Sequence, residues 1–299
     1  MTHGNKVSVI IPTIEEEAIF DLIKQIRQLL GNDVEIIIVD KSSDAYYNRL
    51  KKTDSVVIRQ RTKGVENAIM LGLKAAKGDI LASIDADGTH DPRGLVKGVK
   101  IVESGEADLV LGNRLHSLQE GSMGFYLKTG NQLLSSLFSF IYKTKAHDVL
   151  TGLFVMDRGA FDEIRNTEPY RAGIAFFAIE LARKGYKIKE VDIKYYKRAQ
   201  GTSKLTRSKT AYGFNVASHI IRQLRDYSPL LIFGGLGLIV LIVGVIVGTA
   251  VILSFLHTGV FALSGRALIA FMLIILGFLL GVVGLILDLL LEIEKRLDR

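Results

Sequence analysis

The feature that most restricts the fold is a pair of long, uncharged, apolar stretches in the C-terminal part of the chain. Residues 227–265 contain no Asp, Glu, Lys or Arg, and residues 267–287 contain none either. As a helix, the second stretch would be roughly 31 Å long, which matches the hydrocarbon core of a bilayer. Because backbone amides in hydrocarbon must bond within the protein, we predict two transmembrane helices, at about 229–255 and 267–289.

The charges around these stretches predict an orientation. The residues from Pro229 onward hold four basic and four acidic side chains, so the whole net charge of +7 belongs to the preceding part. Eight cations and no acid lie between Lys194 and Arg225, directly before the first stretch. Basic flanks stay on the cytoplasmic side and are attracted to anionic head groups. We therefore expect an integral membrane protein whose main domain and both termini are cytoplasmic. Both stretches lie far from the N-terminus, so neither is a signal peptide.

These observations predict four parts along the chain. They are a cytoplasmic catalytic domain (1–207), a juxtamembrane interfacial helix (208–228), a transmembrane hairpin (229–291) and a charged cytoplasmic tail (292–299). Glycines spaced by four in both membrane helices, Gly244 with Gly248 and Gly277 with Gly281, allow close helix contact. This contact would either pack the hairpin on itself or join copies into a homo-oligomer. Nucleic acid is not an expected partner, because the basic stretch adjoins the membrane and no nucleic-acid motif accompanies it.

Strand-like and helix-like patterns alternate through the first 200 residues. This alternation predicts an α/β fold with a mostly parallel central sheet. The predicted helices cover about 15–30 and 64–77. The predicted strands are Val7–Ile11, Val34–Val39, Ser55–Ile58, a strand that begins at Ile80, and Asp108–Leu111. Polar clusters follow four of these strands, and ligands bind at the carboxyl ends of strands in such sheets.

Two carboxylates end the strand that begins at Ile80. Asp85 and Asp87 are followed by Gly88, whose freedom of φ allows a tight turn that brings both acids toward one point. Unpaired, they would repel each other, and a divalent cation removes that repulsion. Carboxylate oxygens suit Mg²⁺ or Mn²⁺, which often combine one or two carboxylates with substrate phosphates. The alternative is an acidic turn that caps a helix starting near Pro92.

Taken together, these motifs resemble one family. The chain is similar to the inverting family 2 glycosyltransferases with a GT-A fold, and among them to the polyprenyl-phosphate glycosyltransferases of the dolichyl-phosphate mannose synthase type. The resemblance covers nearly all of residues 5–210. It is carried by 7–13 with Glu16, Val39-Asp40 with Ser43 and Asp44, Lys63-Gly64 with Ala68, Gly78-Asp79, Asp85 with Asp87, 112–114, Asp148 with Thr151-Gly152, and 198–204.

The resemblance implies roles for residues of this chain. Donor binding is expected from Pro12, Thr13, Glu16, Asp40, Gly64, Asp85, Ala86 and Asp87. A Mg²⁺ or Mn²⁺ ion is expected at Asp85, Asp87 and Thr89. The expected catalytic set is Asp87, Arg114, Lys128, Arg198, Ser203 and Lys204. Within it, Arg198, Ser203 and Lys204 suit an incoming phosphate, since Arg offers a planar fork and Lys a point charge.

The chain departs from the family pattern at identifiable positions. Lys41 stands where a second Asp is usual, which bears on how the nucleotide base is held. Thr89 stands where the mannose synthases often have Gln as a further metal ligand. The chain contains no Trp, so the Gln-x-x-Arg-Trp motif of processive polysaccharide synthases is absent. Synthesis of long polymers is therefore disfavoured.

The expected reaction is inverting transfer of one hexose from a nucleotide sugar to polyprenyl or dolichyl phosphate, for glycan assembly. GDP-mannose is the first choice of donor and UDP-glucose the second. A phosphomonoester is largely a dianion at cytosolic pH, so no strong general base is required. One alternative is transfer to a lipid or glycan hydroxyl, with Glu180 as the candidate base. Another is a degenerate family member that serves as a membrane scaffold.

Residues 124–142 show an amphipathic helical pattern. The simpler interpretation is that the apolar stripe faces the core. The alternative is that this helix lies on the bilayer surface beside the entry path of the lipid.

Overall fold

The computed structural model describes residues 6–167, 174–198, 229–259 and 264–297. The chain divides into two compact units, residues 1–219 and 220–299. The predicted interfacial helix at 208–228 lies outside the described residues, as do Ser203 and Lys204.

The first unit is built on a seven-stranded sheet with the order β3-β2-β1-β4-β6-β5-β7. Neighbouring strands are parallel except at β6, which runs antiparallel to both β4 and β5. The predicted α/β fold with a mostly parallel sheet is thus confirmed. The strands are β1 Val7–Thr13, β2 Glu35–Asp40, β3 Val56–Arg59, β4 Ile80–Ser83, β5 Leu109–Asn113, β6 Phe154–Asp157 and β7 Ile188–Asp192.

Helices cover both faces of this sheet. On one face, Val9 and Ile11 of β1 belong to a buried cluster with residues of α1 and α4. On the other face, Ile10 packs so closely against Gly72 of α3 that a Cβ on Gly72 would lie 2.5 Å from it. Burial on both faces explains the uninterrupted apolar run 9–12 within β1. The helices of this unit are α1 Ile19–Leu30, α2 Asp44–Leu50, α3 Val65–Ala75, α4 Arg93–Glu103, α5 Phe125–Tyr142, α6 Arg158–Ile164 and α7 Ala175–Arg183.

Strand register determines which residues meet at the carboxyl edge. Thr13 at the end of β1 is paired with Asp40 at the end of β2, and Ile10 is paired with Ser83 at the end of β4. Asp85 and Asp87 therefore emerge beside the end of β1. Of the remaining elements, α2, α6, β6 and β7 were not predicted from the sequence.

The second unit is a helical hairpin. A short π-helix, Leu230–Gly234, leads into α8 Gly235–Thr258, and α9 is Ser264–Leu297. Two segments, Ile232–Thr258 and Gly265–Leu290, are long and apolar enough to cross a membrane.

Glycines allow the two hairpin helices to pack closely. A Cβ on Gly237 would lie 2.6 Å from the carbonyl oxygen of Gly277, and one on Gly244 would lie 2.9 Å from the amide nitrogen of Ile274. A Cβ on Gly281 would meet no atom of the described residues within 4 Å. Gly244 and Gly277 therefore serve the packing of the hairpin on itself, which was one of the two interpretations of their spacing.

Candidate functional site

The centre of the candidate site is the turn that follows β4. Gly88 has φ +71°, a left-handed conformation that favours glycine, and this turn folds Thr89 back onto Asp87. Asp87 Oδ1 accepts hydrogen bonds from the Thr89 hydroxyl at 2.6 Å and from the Thr89 amide at 3.1 Å. Asp87 is thereby held in one orientation.

Asp85 is as buried as Asp87, with side chains 17% and 16% exposed, but its hydrogen bonding differs. Its Oδ1 atom is buried and accepts no hydrogen bond from the residues that the structure describes. Gly152 lies against this carboxylate, so a Cβ there would be 2.1 Å from Asp85 Oδ2. Burial, together with the negative charge of Asp87, raises the pKa of Asp85 to about 7. An isolated carboxylate in this position is costly, and a cation would relieve that cost.

Arg198 supplies positive charge to the same place. Its Nη2 lies 2.9 Å from Asp87 Oδ2 and 3.2 Å from Glu16 Oε1. The Nε and Nη1 atoms are also buried, and neither bonds to any residue in the described part of the chain. Buried N–H donors without acceptors are unfavourable. The guanidinium is therefore suited to receive an additional anionic ligand.

A short antiparallel pairing places Arg198 beside the turn. The amide of Asp91 donates to the carbonyl of Lys194 at 3.1 Å, and the amide of Tyr196 donates to the carbonyl of Thr89 at 2.7 Å. The segment that follows β7 is thus bound to the segment that follows Asp87. This pairing joins two parts of the sequence that lie about a hundred residues apart.

Arg114, at the end of β5, is buried in an ion pair. Its Nε and Nη2 each lie 2.7 Å from an oxygen of Asp148, and Nη2 also donates to the carbonyl of Leu150. Asn131 of α5 donates to Asp148 Oδ1 at 2.6 Å. Burial opposes ionisation of Asp148, but the charge and hydrogen bonds of Arg114 prevail and hold its pKa below the usual range. The predicted contact of Arg114 with a phosphate remains a prediction.

His90 is a buried neighbour of Asp85. Its Nδ1 lies 3.7 Å from Asp85 Oδ2 and 3.2 Å from the Thr89 hydroxyl, and its ring meets the Tyr195 ring edge-on. Burial and the charge of Arg114 lower the pKa of His90 to about 4. The imidazole is therefore neutral near pH 7 and adds no charge to the site.

A second group of predicted residues lies at the ends of β1 and β2. The buried Asp40 carboxylate receives Arg59 Nη1 at 2.9 Å and the amide of Ser42 at 3.1 Å. Gly64 has φ +105° at the start of α3, where a Cβ would lie 2.4 Å from the Glu66 carboxylate. Asp40 is thus held by protein partners at the edge where a nucleotide was predicted.

The two acids fit a hard divalent cation that also binds a ligand. No group of three or more His, Cys, Asp or Glu able to hold a metal occurs within 6–167, 174–198, 229–259 and 264–297. Two carboxylates, one with an unsatisfied buried oxygen, suit Mg²⁺ or Mn²⁺ when phosphate oxygens complete the shell.

The structure brings together Glu16, Asp87, Thr89 and Arg198, and Asp85 lies two residues before Asp87 on the segment that follows β4. Lys128 lies in the first turn of α5 and is partly exposed. Glu180 is buried and lies 2.9 Å from Arg183, an ion pair that disfavours it as a general base. Three charged or polar residues of this region were not predicted from the sequence: Arg59, Asn131 and Glu190. The sequence did contain a signal for Glu190: it is an acid in the alternating apolar and polar pattern of β7, and this strand directly precedes a basic segment.

Residues 8–165 match the glycosyl transferase family 2 domain, and the chain belongs to this family. Its relatives include a dolichyl-phosphate hexose transferase of Haloferax volcanii, 30% identical over 64% of this chain and 82% of that protein. A low-salt glycan biosynthesis hexosyltransferase of the same organism is 29% identical over 64% of this chain and 48% of the relative. A dolichol-phosphate mannosyltransferase of Pyrococcus furiosus is 28% identical over 74% of this chain and 64% of the relative. The matches thus span about half of the hexosyltransferase and just under two thirds of the mannosyltransferase.

Solved structures share the fold. A mannosyl-3-phosphoglycerate synthase from Rubrobacter xylanophilus has a TM-score of 0.57 at 22% identity, covering 74% of this chain and 75% of that one. A glucosyl-3-phosphoglycerate synthase from Mycobacterium tuberculosis, solved with Mn²⁺, UDP and its product, has a TM-score of 0.55 at 21% identity, covering 73% of this chain and 80% of that one. The first unit is therefore a GT-A-like glycosyltransferase domain.

Proposed function

We propose that this protein transfers one hexose from a nucleotide sugar to polyprenyl or dolichyl phosphate, with inversion, at the cytoplasmic face of a membrane. The observation that carries the proposal is the environment of Arg198. Its buried guanidinium contacts the predicted metal ligand Asp87, while its Nε and Nη1 have no hydrogen-bond partner among the described residues. Transfer of a hexose from a diphosphate donor to a phosphate acceptor brings two anionic groups together, and their repulsion requires a positive charge of this kind.

The donor would lie along the carboxyl edge of β1, β2 and β4. Pro12, Thr13, Glu16, Asp40 and Gly64 would hold the nucleoside, and Asp85, Ala86 and Asp87 would hold the diphosphate end. Asp85, Asp87 and Thr89 would hold Mg²⁺ or Mn²⁺, which when bound neutralises charge on the leaving nucleotide. Support for this arrangement comes from the relatives named for polyprenyl-phosphate sugar transfer and from the Mn²⁺ and UDP in the glucosyl-3-phosphoglycerate synthase.

The acceptor phosphate would be its own nucleophile. As a dianion it needs alignment opposite the leaving group more than it needs a base. Arg198 would exchange part of its contact with Asp87 and Glu16 for the phosphate, and Ser203, Lys204 and Lys128 would add contacts. Arg114 would contribute to the site through its positive charge near Asp85. The guanidinium N–H groups that do not bond to Asp148 or Leu150 would add contacts to the phosphate.

The membrane provides the acceptor. The apolar hairpin would anchor the chain, with both termini and the catalytic domain in the cytoplasm. Helix α5 buries Asn131 and Ser135, whereas Leu133 and Phe140 are 71% and 70% exposed. Apolar residues of this helix also pack in the core, but large apolar side chains left on the surface suit a bilayer, so the exposed pair favours the second interpretation of residues 124–142.

GDP-mannose is the first choice of donor and UDP-glucose the second. The relative named as a mannosyltransferase supports mannose, and the dolichyl-phosphate hexose transferase leaves the hexose open. The test is turnover by purified, detergent-solubilised protein with Mn²⁺, dolichyl phosphate and labelled GDP and UDP sugars. Label that moves into the lipid phase from one donor is the expected result. No lipid label from any donor, with donor binding intact, would overturn the proposal.

A further inference from the structure

We infer that Glu190 is a positioning residue for the site, acting through the loop of residues 147–152. The inference rests on the proposed function for its effect on turnover. Glu190 belongs to β7, and the contacts described for it reach neither Asp85 nor Asp87. Its influence would pass through the backbone that it holds.

Glu190 is a nearly buried carboxylate with four hydrogen-bond donors around it. Its side chain is 11% exposed. Oε1 accepts from the amides of His147 at 2.6 Å and Asp148 at 2.8 Å. Oε2 accepts from Asn113 Nδ2 at 3.2 Å and lies 2.9 Å from His147 Nδ1. One side chain thus joins β7, the end of β5 and the start of the loop.

The next link is Asp148, whose amide is one of the groups that Glu190 holds. The Asp148 carboxylate binds both the side chain and the amide of Arg114. Arg114 directly follows β5 and is buried against this carboxylate at 2.7 Å. Displacing the amide of Asp148 would shift its carboxylate and therefore the position of the Arg114 charge.

The other end of the same loop contacts the site directly. Gly152 lies so close to Asp85 that a single added carbon would meet its carboxylate at 2.1 Å. Loop backbone that moved by a comparable distance would change the space available to Asp85. Glu190 holds one end of this loop, and Asp85 packs against the other.

A carboxylate is the side chain best suited to this role. Two convergent backbone N–H groups and an amide N–H all require acceptors, and an ionised carboxylate offers only acceptors. Glutamine keeps one acceptor oxygen for both backbone amides but presents an NH₂ group to Asn113 and His147. The tautomer of His147 can adapt to that group. The variant Glu190→Gln should therefore retain most of the function that Glu190→Ala loses.

The test compares Glu190→Ala and Glu190→Gln with the control Glu106→Gln. Glu106 is matched because it pairs with Lys189, the neighbour of Glu190 on β7, at 2.8 Å, but is 56% exposed. Hydrogen exchange of peptides that cover 146–153 should be faster in Glu190→Ala and unchanged in the control, with β1 peptides unaffected in both.

Kinetics then separate positioning from simple stabilisation. In Glu190→Ala, kcat should fall about 10- to 100-fold and the Mn²⁺ concentration for half-maximal turnover should rise about tenfold, as for other residues that support metal ligands. Glu190→Gln should stay within about threefold of wild type on both measures. Faster exchange with an unchanged kcat and Mn²⁺ requirement, or unchanged exchange in Glu190→Ala, would overturn the inference. Wild-type protein without turnover on any donor would contradict the proposed function instead. The exchange data would still test whether Glu190 holds the loop of residues 147–152.

Discussion

Asp87 lies between a hydroxyl and a guanidinium, and each partner has a different consequence. Thr89 orients the carboxylate from two residues away, whereas Arg198 neutralises it from 111 residues away. The first contact follows from a local turn, and the second depends on the whole sheet. Together they offset the electrostatic cost of holding the Asp87 carboxylate in a partly buried site.

Replacing Asp87 by Asn should lower metal-dependent turnover by at least about a hundredfold, because the variant keeps the shape of the side chain but loses the charge that holds a cation. The measurement is initial rate against Mn²⁺ concentration with the preferred donor. Asp162→Asn, at an exposed acid paired with Arg165, is the control and should match wild type. Wild-type activity in the Asp87 variant would remove this residue from the metal site.

Replacing Arg198 by Ala should lower kcat/KM for dolichyl phosphate by about a hundredfold, because the acceptor phosphate would lose a charged, forked donor. Arg198→Lys keeps the charge without the fork and should recover part of the loss. Arg165→Ala, which removes an exposed arginine, serves as the control. If the alanine variant changed only the apparent affinity for the nucleotide sugar, Arg198 would belong to the donor side.

Asp148 should make stability depend on pH at the acid end. Its pKa is below the usual range in the folded protein, and an unfolded Asp titrates near pH 3.9. The stabilisation is therefore fully present above that unfolded value and is lost as pH falls through the lower folded pKa. The Tm difference between wild type and Asp148→Asn, measured in detergent, should be large at pH 7 and shrink on acidification toward pH 3. A Tm difference that is independent of pH would contradict this assignment.

At the level of elements, α5 differs from an ordinary amphipathic helix. Leu134 and Phe138 pack inside, as expected from a core-facing stripe, but Leu133 and Phe140 are exposed. The buried residues agree with the interpretation of a core-facing stripe, and the exposed residues agree with the interpretation of a helix on the bilayer surface. The apolar residues were too many for one face, so those left over lie on the surface.

Introducing charge on the exposed face of α5 should weaken its contact with the bilayer. We expect Leu133→Asp combined with Phe140→Asp to lower turnover on dolichyl phosphate in vesicles by about tenfold or more, since each change puts a charge in place of an exposed apolar side chain that would enter the bilayer. Gln132→Asp adds charge at an exposed polar neighbour and should have little effect. Thermal unfolding in detergent should be nearly the same for all three proteins. Equal turnover in vesicles would exclude a membrane role for this face.

At the level of the whole molecule, the predicted topology can be tested directly because the chain contains no cysteine. Single cysteines at Lys63, an exposed residue of the catalytic unit, and at His257, an exposed residue near the end of α8, provide the two reporters. In intact cells an impermeant maleimide should label His257→Cys and not Lys63→Cys, and both should react after lysis. Labelling of Lys63→Cys in intact cells would reverse the proposed orientation.

Much of the fold could be predicted from local sequence, and much of the site could not. The predicted strands at β1 to β5 agree with the structure to within a few residues, because each contains an apolar run that ends at polar residues. The antiparallel β6 was not predicted, since its direction depends on the neighbours between which it lies. Glu190 was likewise missed, since its four donors come from β5 and from a loop whose position depends on that sheet.

The sequence alone determined the elements whose causes are local: the apolar hairpin helices, the strand β4 that leads to Asp85, and the turn at Gly88. It also contained the family motifs, because their order along the chain is a property of the sequence. Only the tertiary structure decided that Arg198 contacts Asp87 and Glu16, that Arg114 is buried against Asp148, and that α5 exposes apolar residues. The physical reason is that charge compensation and burial depend on distances in space, and these distances exist only after the sheet has brought remote segments together.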